Sequence, residues 1–295
     1  MFDFLRGEGV SETLLAEVES FRASHGVRPE YQSRMPLPRY EYYGKDVWEK
    51  AITAVLCGSN ILLSGPKATG KNVLAENLAL LFGRPQFDVS FHVNTDASSL
   101  LGADTYEDGK VFLRKGPIYQ CAEAGGFGIL DEINMAKNES LAVLHAVLDY
   151  RRVIDMPGYD RIYLDEATRF IGTMNYGYAG TRELNEALTS RFVVIDMPKL
   201  DSAGIVKLLQ YEFHGLETNR AEQFALLFEE IQTKCDSGEL STKSLDLRGL
   251  LDAVRLMSRG LSCYSALEMG IINKTFDDYE KKLLADVVLS RFPKE

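Results

Sequence analysis

Lys71 follows Gly65 and Gly70 in the stretch GPKATGKN, the spacing at which a loop and an ammonium group can hold a row of phosphates. The glycines let the backbone wrap around the anion with its N–H groups pointing inward. The positive end of the following helix and the Lys71 charge add complementarity. The bare pattern recurs by chance in roughly one chain in ten of this size, and its plain alternative is a strand–turn–helix junction. Context favours the phosphate reading: the apolar run NILLS precedes the loop and the helical pattern VLAENLALLFG follows it.

Three further stretches offer matching chemistry. In FGILDEINMAKNE an apolar run ends at Asp131 and Glu132, placing two carboxylates at the strand end where open α/β sheets bind ligands. Asp131 would hold magnesium, and Glu132 would take a proton from an attacking water. The competing reading is a solvated acidic turn. RFIGTMN ends at Asn175, an amide able to orient water or sense a terminal phosphate, or else an ordinary turn residue. Arg191 stands just before FVVIDM, where it would act as a finger in a neighbouring subunit's site or form a surface ion pair. Sequence logic leaves those two open.

The elements that must position these groups alternate. NILLS, FDVSF, FGILD, RFIGTMN and FVVIDM have strand length and are separated by helical stretches, which predicts a parallel sheet covered on both faces. ADTYEDGKVFLRKG reads as a β-hairpin around Asp108-Gly109, and RRVIDMPGYDRIYLDE reads similarly around Pro157-Gly158. SETLLAEVESFRA is helical in pattern, with Ser11 as its N-cap, and GVRPEYQSRMPLPRY reads as an extended linker. Beyond Leu200 only helical patterns remain. The expected division is an N-terminal helix and linker over 1–40, an α/β core over 41–200 and an α-helical domain over 201–295.

Composition narrows the classes. Of 295 residues, 45% are hydrophobic and 26% charged, as in globular proteins, and the net charge of −10 argues against broad affinity for nucleic acid or anionic lipid. No apolar run reaches membrane-spanning length, and MFDFLRGEG lacks the features of a secretory signal. Cys57, Cys121, Cys235 and Cys263 form no CxxC pair, so neither a metal cluster nor a disulfide framework is expected, and a cytoplasmic location is the simplest expectation. His25, His92, His145 and His214 are isolated and read as ordinary core or solvated side chains, with His92 alone near a strand end. The tyrosines of PRYEYYG could line an adenine pocket, although packing is the simpler reading.

Taken in order, GPKATGKN, ILDEIN, TMNYGYAGTRELNEALTSRF and SLDLRGLLDA resemble an AAA+ ATPase of the MoxR family, in its CbbQ/NirQ/NorQ/GvpN-like branch. The likeness spans roughly residues 40–255, and DASSLLGADTYEDGKVFLRKGPIYQCAEAGG resembles that family's helix-2 insert. It implies a phosphate-loop AAA+ core with a parallel sheet and β-hairpin insert, followed by a small all-α lid. The implied nucleotide-binding set is Gly65, Pro66, Lys67, Ala68, Thr69, Gly70, Lys71, Asn72 and Val73 with Arg248 of the lid as sensor-2. Lys71 would meet the β/γ-phosphates, Asp131 and Glu132 would form the Walker B pair, and Asn175 would be sensor-1. Arg191 would be the finger acting in trans, while Arg182 receives no role. ATP and Mg2+ are the implied cofactors. Members typically form rings, often hexamers, and remodel or activate protein clients, many with a partner bearing a von Willebrand factor A domain.

Asn72 departs from the pattern, because a Ser or Thr hydroxyl ordinarily stands there to meet magnesium. An amide oxygen can also coordinate a hard cation, so Asn72 and Asp131 form the expected metal pair. Lys67 adds a second cation to the loop. The expected activity is ATP hydrolysis to ADP and phosphate, coupled to work on a protein client. The alternative is a nucleotide-binding switch or scaffold with little hydrolysis, with Asn72 as its support. A GTP-using or DNA-linked relative is a third possibility, and base preference is not legible in the loop.

Overall fold

The structure, a computed structural model, describes residues 1–176 and 183–293. Residues 177–182, including Arg182 and part of the NYGYAGTRELNEAL block, lie outside the described residues. The chain divides into two compact units, Met1–Pro66 with Gly70–Met197, and Lys67–Thr69 with Pro198–Glu295.

The first unit begins with α1 (Phe2–Gly7), α2 (Glu12–Ser24) and α3 (Lys45–Leu56), followed by β1 (Ile61–Ser64), α4 (Lys71–Leu81) and β2 (Gln86–Ser90). Next come α5 (Ala97–Leu101), the hairpin β3 (Gly102–Glu107) and β4 (Lys110–Lys115), α6 (Pro117–Ala124) and β5 (Phe127–Asp131). Two short helices, α7 (Asn138–Leu141) and α8 (His145–Leu148), lead to a small hairpin, β6 (Val153–Ile154) and β7 (Ile162–Tyr163). The unit closes with β8 (Arg169–Met174), α9 (Glu186–Thr189) and β9 (Val193–Asp196).

Five strands form one parallel sheet in the order β2-β5-β8-β1-β9. The strand period of two divides its side chains between two cores. Ile61, Leu63, Phe127, Ile129, Ile171 and Ile195 face a cluster that includes residues of α1 to α4, while Leu62, Leu130 and Phe170 face one built from α5 to α8. In the β3–β4 turn, Asp108 and Gly109 both have positive φ, 49° and 78°, which matches the right-handed twist of a hairpin.

Residues 1–40 contribute to this unit directly. Leu5, Val10, Leu15 and Val18 are buried in the first cluster. The 25–40 segment is not extended throughout: Pro29–Arg34 forms a 3-10 turn, with Pro29 supplying its fixed φ at the start and the Tyr31 ring packed edge-on to Phe87. Arg84, 1% exposed, donates to the carbonyls of Gly125 at 2.6 Å, Ala124 at 3.2 Å and His25 at 2.5 Å. One buried guanidinium therefore satisfies carbonyls at the ends of both α2 and α6.

The second unit is helical: α10 (Ser202–Glu212), α11 (Thr218–Asp236), α12 (Leu247–Met257), α13 (Cys263–Gly270) and α14 (Asp278–Arg291). Four of these start on side-chain caps, Asp201, Asp246, Ser262 and Asp277, each accepting a backbone N–H of the first turn. Phe224 and Phe292 stack at 4.8 Å in its core. Among the described residues no helix is long and apolar enough to cross a membrane.

Candidate functional site

Parallel pairing brings the carboxyl ends of β5, β8 and β1 side by side, and the candidate chemistry gathers there. The turn after β1 is fixed to β8 by the Gly65 N–H donating to the Met174 carbonyl at 3.2 Å. It enters α4 through Gly70, whose φ of 78° is left-handed and disfavours any side chain. Space adds a second reason for glycine: a Cβ at Gly70 would stand 3.0 Å from the Tyr42 ring. Ala68 also takes a positive φ, 63°, within the same loop.

Lys71 is 6% exposed, and its Nζ donates to the carbonyls of Gly65 at 2.9 Å and Pro66 at 2.6 Å. Burial pushes its ammonium down to about 8, against the opposing fields of Asp131 and Glu132. These two bonds go to the loop's own carbonyls, and a polyanion would be a stronger partner for this buried cation than either carbonyl. Asn72 and Val73, in the first turn of α4, are partly exposed.

The carboxylates belong to a hydrogen-bonded chain. The Thr173 hydroxyl, 1% exposed within β8, donates to Asp131 Oδ1 at 2.6 Å and accepts the Glu132 N–H at 3.1 Å. Glu132 adopts φ 53° and ψ 44°, a left-handed conformation that costs a non-glycine residue about 1–2 kcal/mol. Its Oε1 accepts from the Asn175 amide at 3.2 Å, while the Asn175 carbonyl accepts from the Asn134 amide at 2.7 Å. A strained backbone held by a buried hydroxyl on one side and an amide on the other is a pre-organised arrangement.

Thr173 and Asn134 carry no signal in the sequence by themselves. A β-branched residue within a strand and an amide in a turn are both ordinary, and only the adjacency of β5 and β8 gives them partners. Tyr42 is likewise resolved by structure. Its ring is buried against Gly70 beneath the loop, its N–H donates to the Asn77 side chain at 3.1 Å, and its carbonyl accepts from the Trp48 indole at 2.8 Å. Desolvation pushes its phenol up to about 12. His92 sits in a tight turn, its Nδ1 accepting the Asn94 N–H at 3.2 Å.

The donor set fits a hard divalent cation that arrives with phosphates. Asp131 supplies a carboxylate oriented by Thr173, and Asn72 brings an amide oxygen at the head of α4. Among the described residues no three His, Cys, Asp or Glu side chains gather into an all-protein cage, so the substrate would have to complete the coordination.

Arg191 lies elsewhere. It precedes β9, at the amino ends of the strands, whereas the loop follows their carboxyl ends, more than about 10 Å along the sheet. Its Nε donates to the His145 carbonyl at 3.1 Å, its Nη1 to the Ala187 carbonyl, and its Nη2 stands 3.5 Å from Asp149 Oδ2. Within one chain, therefore, the ion-pair reading of Arg191 is realised. Arg248 is exposed at the start of α12 in the second unit, its N–H bonded to Asp246.

A family model described as an AAA domain of the dynein-related subfamily matches residues 60–192, which contain the phosphate loop, Asp131-Glu132, Asn175 and Arg191. The chain is also similar, at 32% identity over 90% of its length and 89% of the relative's, to the uncharacterized protein YojN of Bacillus subtilis. An uncharacterized protein of Staphylococcus epidermidis shares 33% identity over 86% of this chain and 98% of its own. A solved structure from Cytophaga hutchinsonii, described as a candidate ATPase, covers 97% of this chain and 89% of its own at 14% identity and TM-score 0.48, a likeness too loose to inform function.

Proposed function

Since the chain belongs to the family of Bacillus subtilis YojN and its staphylococcal relatives, and carries an AAA domain of the dynein-related subfamily, we propose that it is an ATP-hydrolysing ring ATPase of MoxR type. In this reading it couples ATP hydrolysis to remodelling or activating a protein client, with a von Willebrand factor A domain protein as a candidate partner. The strongest support is the chain Asn175–Glu132–Thr173–Asp131 lying at the strand ends next to the buried Lys71.

Each residue has a defined task. Loop N–H groups of Gly65 to Asn72 and the Lys71 ammonium bind the β- and γ-phosphates. Asp131 and Asn72 hold magnesium, which when bound neutralises charge on the phosphates. Glu132 accepts the proton of the attacking water, and Asn175 orients both that carboxylate and the water. Arg191 cannot reach its own phosphate loop, and so it serves a neighbouring copy, where such an arginine is worth about 10³–10⁵ in rate. Arg248, in the second unit, is the candidate sensor-2 residue by the family resemblance.

Multiple-turnover phosphate release with magnesium tests this, with Glu132→Gln as the control. Release no faster than in the control would leave the second reading, a nucleotide-binding switch, which Asn72 favours by removing the usual hydroxyl from the metal side. Capture with Glu132→Gln in the presence of ATP tests the client: a protein retained only with nucleotide is expected, and an empty capture removes the remodelling claim.

A further inference from the structure

Asp149 receives two arginines at once. Arg151 grips it with both ends of its fork, Nε at 3.1 Å from each carboxylate oxygen and Nη2 at 2.6 Å from Oδ2, while Arg191 Nη2 approaches that same Oδ2 at 3.5 Å. Among the described residues, Asp149 is the carboxylate paired with each of them, which leaves two guanidiniums sharing a single negative charge. This occurs in a chain of net charge −10, where a local positive excess stands out.

The surroundings fix this cluster and turn it outward. The end of α8 is held by the Asn60 amide on the Leu148 carbonyl at 3.0 Å, and Asn60 also accepts the Phe170 N–H at 2.9 Å. Arg152, with φ 46°, turns inward onto the carbonyls of Asp165 and Thr168. That reversal thrusts its two predecessors into solvent: Tyr150 is 92% exposed and the Arg151 side chain 49%. A cavity of about 270 Å³, lined in part by Asn60, Asp149, Tyr150, Ser190 and Arg191, opens beside them. All of this lies at the strand ends remote from the chain's own phosphate loop.

Resting on the ring reading above, we propose that Arg151 is a second arginine presented with Arg191 to the nucleotide bound by a neighbouring copy, and that Asp149 positions the pair. Two planar, bidentate donors with one charge left over suit a terminal phosphate flanked by oxygens better than a single carboxylate. Arg151 holds Asp149 tightly and the Arg191 Nη2 contact stays long, so a phosphate would compete with that weak contact while the His145 and Ala187 carbonyls hold the rest of the Arg191 fork. The alternative is a purely local clamp that shapes the turn after α8.

Subunit mixing separates the two. Arg151→Ala is expected to lower phosphate release per subunit by at least about tenfold in the assembled protein, with nucleotide affinity and particle size unchanged. Arg151→Lys should recover little of it, because a lysine lacks the fork. Mixed with Glu132→Gln subunits, which cannot turn over but keep Arg151, the Arg151→Ala sites should regain activity above the sum of the two alone. Mixing Arg151→Ala with Arg191→Ala should give no recovery, since both changes lie on one face. Unchanged turnover of Arg151→Ala, or a loss that Glu132→Gln subunits do not relieve, overturns the proposal while leaving the hydrolysis reading standing. A wild-type protein without turnover removes both.

Discussion

The Thr173 hydroxyl of β8 lies 2.6 Å from Asp131 Oδ1 on β5 and takes the Glu132 N–H at 3.1 Å, so one buried oxygen orients both carboxylate residues. Replacing Thr173 by Val keeps the shape and removes both bonds. We expect phosphate release to fall about 10- to 100-fold with a raised magnesium requirement. Thr173→Ser should retain most of the activity. A magnesium titration of turnover checks this, with thermal melts to show that the fold persists. Equal activity in Val and wild type would remove Thr173 from the site.

Lys71 carries a pH signature. Its ammonium is pushed down to about 8 by burial, from the ordinary 10.5. Below about pH 8 the native state bears the full cost of a buried charge. As pH rises from 8 towards 10.5 the unfolded chain binds more protons than the native one, and stability from this group increases. A bound polyphosphate reverses the shift and restores the proton. Nucleotide binding near pH 8 should therefore take up a fraction of a proton, and affinity should weaken above it. Calorimetry in two buffers of different ionisation enthalpy measures that uptake; zero uptake or proton release contradicts it.

Asn72 sets the metal side of the loop. Asn72→Thr supplies a shorter hydroxyl at the same position, and the expected result is severalfold tighter apparent magnesium binding with equal or faster turnover. If instead turnover collapses, the amide has a role that a hydroxyl cannot fill.

Asn77 predicts stability. It is fully buried in α4, accepting the Tyr42 N–H at 3.1 Å and donating to the Tyr40 carbonyl at 2.8 Å. Asn77→Leu strands both backbone groups, at a cost of about 2–4 kcal/mol. Urea denaturation should show a lowered midpoint with an unchanged slope. Because the same segment places the Tyr42 ring beneath Gly70, nucleotide affinity should fall as well. A midpoint within error of wild type contradicts this.

The sheet was legible because each of its strands is a short apolar run bounded by turn residues, and Asp131 and Asn175 announce themselves by closing such runs. The hairpin turn at Asp108-Gly109 was equally readable, since that dipeptide specifies its geometry. Other features depend on which strands become neighbours, which no local pattern encodes. Thr173 reads as a strand filler, Asn77 as a polar residue in a helix, and Arg84 as the residue after a helix end. Pro29–Arg34 reads as extended because three prolines suggest it, yet the docking of Tyr31 on Phe87 pays for a tighter turn. Arg191 shows a different limit: its intrachain partners are now clear, while its service to a second copy rests on the proposal.

Arg84 also bears on how this protein can be cut or recombined. Because its guanidinium closes the end of α2 as well as that of α6, the opening helices are a structural part of the first unit rather than an appendage to it. Removing residues 1–40 would expose the apolar seats of Leu5, Leu15 and Val18 and leave a buried cation short of an acceptor. A truncated AAA core is therefore a poor surrogate for this chain, and fusion partners or tags belong where they leave that seam intact.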